Sequence, residues 1–120
     1  MEYEIRTYET KQGKRPFSEW LNKLKDLQAK TKIRLRLDRL AMGNFGDCKS
    51  VGDGVSELKI DFGPGYRVYF GKIGKTCVLL LTAGSKGDQQ SDIEKAKEYF
   101  EDYKAREEEE CLEAEVIKMS

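Results

Sequence analysis

The amino-acid sequence predicts a single domain of the α+β class. Three observations predict it. Residues 16–42 repeat apolar side chains at helical spacing, residues 46–85 alternate or run apolar between glycine-rich turns, and residues 91–103 return to helical spacing. A chain of 120 residues suits one core. Charged residues make up 37% of it, but the apolar ones fall in clear blocks, which is the pattern of a folded chain.

Residues 2–8 alternate and predict a first strand with Tyr3, Ile5 and Thr7 on one face. Lys11–Arg15 is a loop, and Pro16 is well placed to open a helix because its missing N–H has no helical partner to lose. Phe17, Trp20, Leu21, Leu24 and Leu27 give that helix its apolar stripe. A second helix is expected from about Ala29 to Met42, burying Ile33, Leu37, Leu40 and Ala41, with Gly43 and Asn44 as stop residues. Lys32, Arg36 and Arg39 form a basic stripe beside the apolar one, which is either a solvated face or a phosphate-contacting one.

A short strand near Cys48–Val51 leads to a turn at Gly52-Asp53-Gly54. In the next strand Ser56, Leu58, Ile60 and Phe62 share one face, and Glu57, Lys59 and Asp61 the other. Gly63-Pro64-Gly65 signals a hairpin. Beyond it Tyr66, Val68 and Phe70 oppose Arg67 and Tyr69. Cys77–Leu81 is apolar throughout and predicts an interior strand covered on both faces, completing an antiparallel meander. Ser91-Asp92-Ile93-Glu94 reads as a capping box opening a third helix, which Ile93, Ala96, Phe100 and Tyr103 would pack down. The chain thus divides into a domain over 1–104 and an acidic extension over 105–120.

Composition narrows the function classes. The chain has no histidine, so the commonest acid–base side chain is missing. Three widely spaced cysteines without a C-x-x-C pair argue against a zinc or disulfide framework, so neither metal nor cofactor is expected. The polar, alternating start is unlike a secretory signal, and the longest apolar run is far too short to span a bilayer, so a cytoplasmic protein without membrane contact is expected. The zero net charge hides an asymmetry. Residues 1–86 hold 17 Lys and Arg against 10 Asp and Glu, a balance of +7, and residues 87–120 hold 5 against 12, a balance of −7. A basic body with an acidic tail fits a nucleic-acid binder whose tail, through Glu107–Glu110, Glu113 and Glu115, could shield the basic surface; the plain alternative is solvated charge.

The stretch Gly46-Asp47-Cys48-Lys49-Ser50-Val51-Gly52-Asp53-Gly54-Val55-Ser56-Glu57-Leu58-Lys59-Ile60, followed by Gly63-Pro64-Gly65-Tyr66-Arg67-Val68-Tyr69-Phe70, resembles the RelE/ParE superfamily of toxins. The resemblance is to its HigB-like, phage Gp49-like "addiction module killer protein" branch. Leu79–Lys86, then Gln89 or Gln90, Asp92-Ile93 and Ala96, extend it, and it covers about residues 3–103. It implies a RelE-like fold, an antiparallel sheet with two N-terminal helices on one face and a C-terminal helix (β-α-α-β-β-β-β-α). It also implies an antitoxin partner, commonly with a helix-turn-helix, and ribosome-dependent cleavage of mRNA. The ParE branch instead acts on DNA gyrase, and a phage-derived binding module without activity is a further alternative. The family's Gly-Gly-Asp-Lys-Ser/Thr segment stands here as Ala83-Gly84-Ser85-Lys86-Gly87, and the tyrosine that RNA-cutting relatives often carry after the last basic residue is missing.

A metal-free ribonuclease needs a base for the 2′-OH, a cation for the phosphorane charge and an acid for the departing 5′-oxygen. Strand alternation puts Lys59, Arg67 and Tyr69 on one sheet face, and Lys86 just past the next strand could curve back to it. Arg67 suits the electrostatic role, Lys59 that of the base, and Lys86 or Tyr69 that of the acid. Lys32, Arg36, Arg39 and Lys49 are the further candidates for RNA contact.

Overall fold

The computed structural model describes residues 2–119, and side chains up to residue 108. The elements are β1 (Glu4–Thr7), α1 (Pro16–Lys23), α2 (Leu27–Ala41), β2 (Cys48–Gly52), β3 (Val55–Ile60), β4 (Tyr66–Ile73), β5 (Cys77–Ser85) and α3 (Gln89–Met119). The order is the expected one for an α+β chain. The strands form one sheet in the order β1-β5-β4-β3-β2.

β2 to β5 make the antiparallel meander. The sheet as a whole is mixed rather than antiparallel, because β1 runs parallel to β5, with Ile5 opposite Val78 and Thr7 opposite Leu80. The physical reason lies in the connection. α1 and α2 carry the chain from β1 across to the far edge, and four strands laid back from there bring β5 beside β1, pointing the same way.

Each face of the sheet has its own core. Leu58, Ile60, Val68 and Phe70 pack on one face under Phe17 of α1 and Ala29, Ile33 and Leu40 of α2. Val55, Tyr69, Leu79 and Leu81 pack on the other under Ala96 and Phe100 of α3. β5 therefore lies covered on both sides, as its apolar run predicts. Gly71 of β4 sets how closely α3 approaches, since a Cβ there would lie 2.6 Å from the Phe100 ring.

Two helix boundaries differ from the sequence reading. Asp26 caps α2, its carboxylate accepting the N–H groups of Gln28 at 3.0 Å and Ala29 at 3.2 Å. Leu27, expected on the stripe of the first helix, therefore opens the second and is 75% exposed. A short 3₁₀ turn, Lys86–Asp88, leads from β5 directly into α3. Ser91 thus sits inside the helix, donating its hydroxyl to the Asp88 carbonyl at 3.2 Å instead of capping.

α3 has 31 residues, about 46 Å at 1.5 Å per residue. It passes residue 104 without a break. Arg106 donates to the Glu9 carbonyl at 2.6 Å and pairs with Asp102 at 2.8 Å, and Asp102 accepts from the Tyr8 hydroxyl at 2.5 Å. The Glu109, Glu110, Glu113 and Glu115 side chains, on which tail shielding depends, lie outside the described residues. Among the described residues no helix is long and apolar enough to cross a membrane, and no group of three or more His, Cys, Asp or Glu could hold a metal ion.

Candidate active site

The β3–β4 hairpin builds the site. Its turn is closed by the Gly65 N–H donating to the Phe62 carbonyl at 3.0 Å. Gly63 and Gly65 adopt φ of 57° and 87°, which residues with a Cβ rarely tolerate. The resulting register sets Lys59 directly opposite Arg67, and Arg67 opposite Gly84 on β5. Like charges facing each other across a strand pair are destabilising, so a structural role alone gives no reason for this pair. Lys86 joins it because its backbone N–H donates to the Gly65 carbonyl at 3.2 Å, fastening the 3₁₀ turn over the hairpin. Lys59, Arg67 and Lys86 together line a depression of about 150 Å³, with Asp61, Gly63, Pro64, Gly65 and Tyr66 completing its wall.

Tyr69 shares the sheet face of Lys59 and Arg67 but does not reach the depression. It is fully buried under α3, and its hydroxyl donates to Glu57 Oε2 at 3.1 Å. Burial, and then the Glu57 carboxylate beside it, hold that hydroxyl protonated well above the ordinary tyrosine range. Glu57, read from alternation as a polar outward residue, is only 2% exposed. It accepts Gln89 Nε2 at 2.9 Å from the start of α3 and lies 3.4 Å from Arg67 Nε and 3.9 Å from Lys49 Nζ. Alternation fixes which face a strand residue takes. It does not reveal that a helix will cover that face at residue 57 and leave it open at residue 59.

Asp92, in the first turn of α3, is a second buried carboxylate. It is 9% exposed, and Oδ2 has no hydrogen-bond partner among the described residues. It lies against Gly84, where a Cβ would collide with Oδ2, so the glycine opposite Arg67 is what admits it. Burial, followed by the neighbouring Asp88, raises its pKa above the ordinary carboxylate value. A raised carboxyl pKa gives stability that is present at low pH and lost as pH rises through the folded-state value. The helix N-terminus favours the charge by about 0.3–1 kcal/mol, but a stranded buried polar group costs about 1–3 kcal/mol, so burial wins. Asp92→Asn is therefore expected to stabilise the fold by about 1 kcal/mol at about pH 7.5, raising Tm by several degrees, with the gain shrinking toward about pH 4. Equal melting temperatures for both proteins at the two pH values would refute this.

The remaining candidates divide between two surfaces. Arg36 is committed to the backbone, donating to the carbonyls of Phe45 at 3.3 Å, Asp47 at 3.4 Å and Lys59 at 3.2 Å. Its charge ties α2 to the segment entering β2 and to the strand that carries Lys59. Lys32 lies 5.9 Å from the Phe62 ring centroid, and with Arg36 and Arg39 it lines a second groove of about 190 Å³ between α2 and the end of β3. That groove takes its apolar wall from Leu35, Ile60 and Phe62, the last two on the opposite side of the chain from Lys59. Lys49 extends 67% exposed from β2 beside Glu57 and borders the hairpin face. Of the eight sequence candidates, the structure brings Lys59, Arg67 and Lys86 to one depression, with Lys49 near and Tyr69 beneath.

No family model matches the chain. A protein of Haemophilus influenzae, described as an "Uncharacterized protein", is 54% identical over 81 residues, covering 68% of this chain and 82% of that protein.

Proposed function

We propose that this chain, which belongs to the family of the Haemophilus influenzae protein, is a RelE-like toxin of a type II toxin–antitoxin pair that cleaves mRNA on the ribosome. One observation carries the reading: Lys59, Arg67 and Lys86 converge on one small depression at the uncovered end of the sheet. That is the arrangement a single phosphodiester needs. The helix arrangement that the resemblance implies, two N-terminal helices on one face, also supports it.

In the proposed reaction the ribose 2′-oxygen attacks the adjacent phosphorus and gives up its proton to Lys59, which takes part as the unprotonated amine and leaves as the ammonium. Arg67 spans two oxygens of the phosphorane, since its planar fork matches that geometry. The P–O5′ bond breaks, and Lys86 supplies the proton to the 5′-oxygen. The products are a 2′,3′-cyclic phosphate and a 5′-hydroxyl, with no covalent intermediate on the protein. Tyr69 drops out as an acid because its hydroxyl is buried and bonded to Glu57. With no histidine and a shallow site, the ribosome is assigned the task of presenting the 2′-OH in line, which is a proximity effect. The partner is proposed to be an antitoxin carrying a helix-turn-helix.

Primer extension on mRNA in translating ribosomes tests this. New ends at codons occupying the A site are expected with the wild-type chain. Growth arrest that persists in both Lys59→Ala and Arg67→Ala, without new ends, would instead favour a toxin acting on a protein target.

A further inference from the structure

We infer that Glu57 is a positioning residue: from beneath the cation cluster it holds the Arg67 guanidinium by its Nε edge, leaving the terminal nitrogens for a bound phosphate. The inference rests on the nuclease reading above.

Taking a carboxylate out of water costs several kcal/mol unless partners offset it. The partners here are specific. Oε2 takes two neutral donors, Tyr69 Oη at 3.1 Å and Gln89 Nε2 at 2.9 Å. Oε1 is turned to two cations, Arg67 Nε at 3.4 Å and Lys49 Nζ at 3.9 Å. With Oε2 fixed from two elements, Oε1 has a fixed place under Arg67. Arg67 is itself only 12% exposed in its side chain, and its Nε is buried without a well-aligned hydrogen bond. The pair is therefore chiefly electrostatic. It orients the fork without saturating it, because the closest approach to the carboxylate, 3.4 Å, is at Nε and the residue still lines the depression.

Burial of an ion pair is weak evidence for a stabilising role, since apolar side chains of similar volume often serve stability as well or better. The position of Glu57 fits a functional demand. It sits two residues from Lys59 on the same strand face and opposite Tyr69, so it borders the site without occupying it. Its charge also acts against RNA affinity, by lowering the positive potential over the depression. Glu57 should thus favour rate at the expense of ground-state binding, which a purely structural group would not do.

The test uses the full chain and programmed ribosomes. Single-turnover cleavage is measured for wild type, Glu57→Gln, Glu57→Asp, Arg67→Ala and Glu57→Gln/Arg67→Ala. Affinity is measured with mRNA carrying a 2′-deoxy sugar at the scissile position. Glu57→Gln is expected to cut about 10²-fold more slowly while binding as tightly as wild type or more so. Glu57→Asp should recover part of the rate, and the double variant should be no slower than Arg67→Ala, because Glu57 acts through Arg67. Wild-type cleavage by Glu57→Gln, or equal additive losses in the double variant, would overturn the inference. Should wild type not cut at all, the nuclease reading fails, and the Arg67 Nε–H resonance then decides the positioning separately. A resonance shifted in Glu57→Gln and in Glu57→Asp supports it, and one unchanged in both overturns it.

Discussion

Arg67→Ala is expected to lower the rate of ribosome-dependent cleavage by about 10²–10³-fold, the usual loss when one preorganised stabiliser of transition-state charge is removed. Arg67 should dominate the cluster because it is the most firmly held. Its strand pairs with β3 and β5 on both sides, its side chain is 12% exposed, and Glu57 meets its Nε. Lys59 and Lys86 reach the same depression as exposed residues near the end of β3 and in a 3₁₀ turn, so Lys59→Ala and Lys86→Ala should each cost less than Arg67→Ala. Removing Arg67 also strands Glu57, and breaking a buried pair can cost about 3–5 kcal/mol. A melting curve must therefore accompany the rate, and Arg67→Lys provides the variant that retains a charge above Glu57 but lacks the fork. It should fold and still cut poorly, since a point charge cannot span two phosphorane oxygens. Tyr69→Phe should stay within several-fold of wild-type rate and lose about 1 kcal/mol of stability with its hydrogen bond. A folded Arg67→Lys that cuts at the wild-type rate would remove Arg67 from the reaction.

The sequence made the hairpin legible because each of its signals is local. Lys59 and Arg67 follow strand alternation, Gly63-Pro64-Gly65 sets the turn, and their conjunction gives the cross-strand pair directly. What escaped depends on neighbours distant in sequence. Glu57 and Lys59 have the same parity and look alike in the sequence, yet Gln89 covers one while the other is exposed. Tyr69 shares parity with Arg67, so alternation groups it with the chemistry, while α3 buries it. Arg36 lies on a basic stripe by helical spacing, but three carbonyls from β3 and the loop before β2 take up its guanidinium. The parallel pairing of β1 and β5 was hidden similarly, since alternation identifies a strand without its direction relative to a partner more than seventy residues away. Asp92 was visible as part of a motif. Its burial required knowing that Gly84 would stand beneath it.

Phe100→Ala should destabilise the fold by about 3–5 kcal/mol, the usual cost of emptying a buried aromatic site, and lower Tm by more than about 10 °C. Phe100 is 6% exposed and is the main aromatic that α3 sends onto the sheet. Gly54 and Gly71 leave the space its ring fills, and Lys104 stacks over it at 4.7 Å. The surrounding strands are paired along their length and cannot close over the gap, so the cavity term should be large. The consequence reaches the site. The first turn of α3 delivers Gln89 to Glu57 and Asp92 to Gly84, and the turn before it carries Lys86. Loosening the helix at Phe100 should therefore reduce cleavage even well below the new melting temperature. Phe100→Leu, which refills part of the volume, should restore stability and rate together. If Phe100→Ala melts early but cuts at the wild-type rate while folded, α3 serves only to cover the second face of the sheet, and the geometry around Arg67 is set by the strands alone.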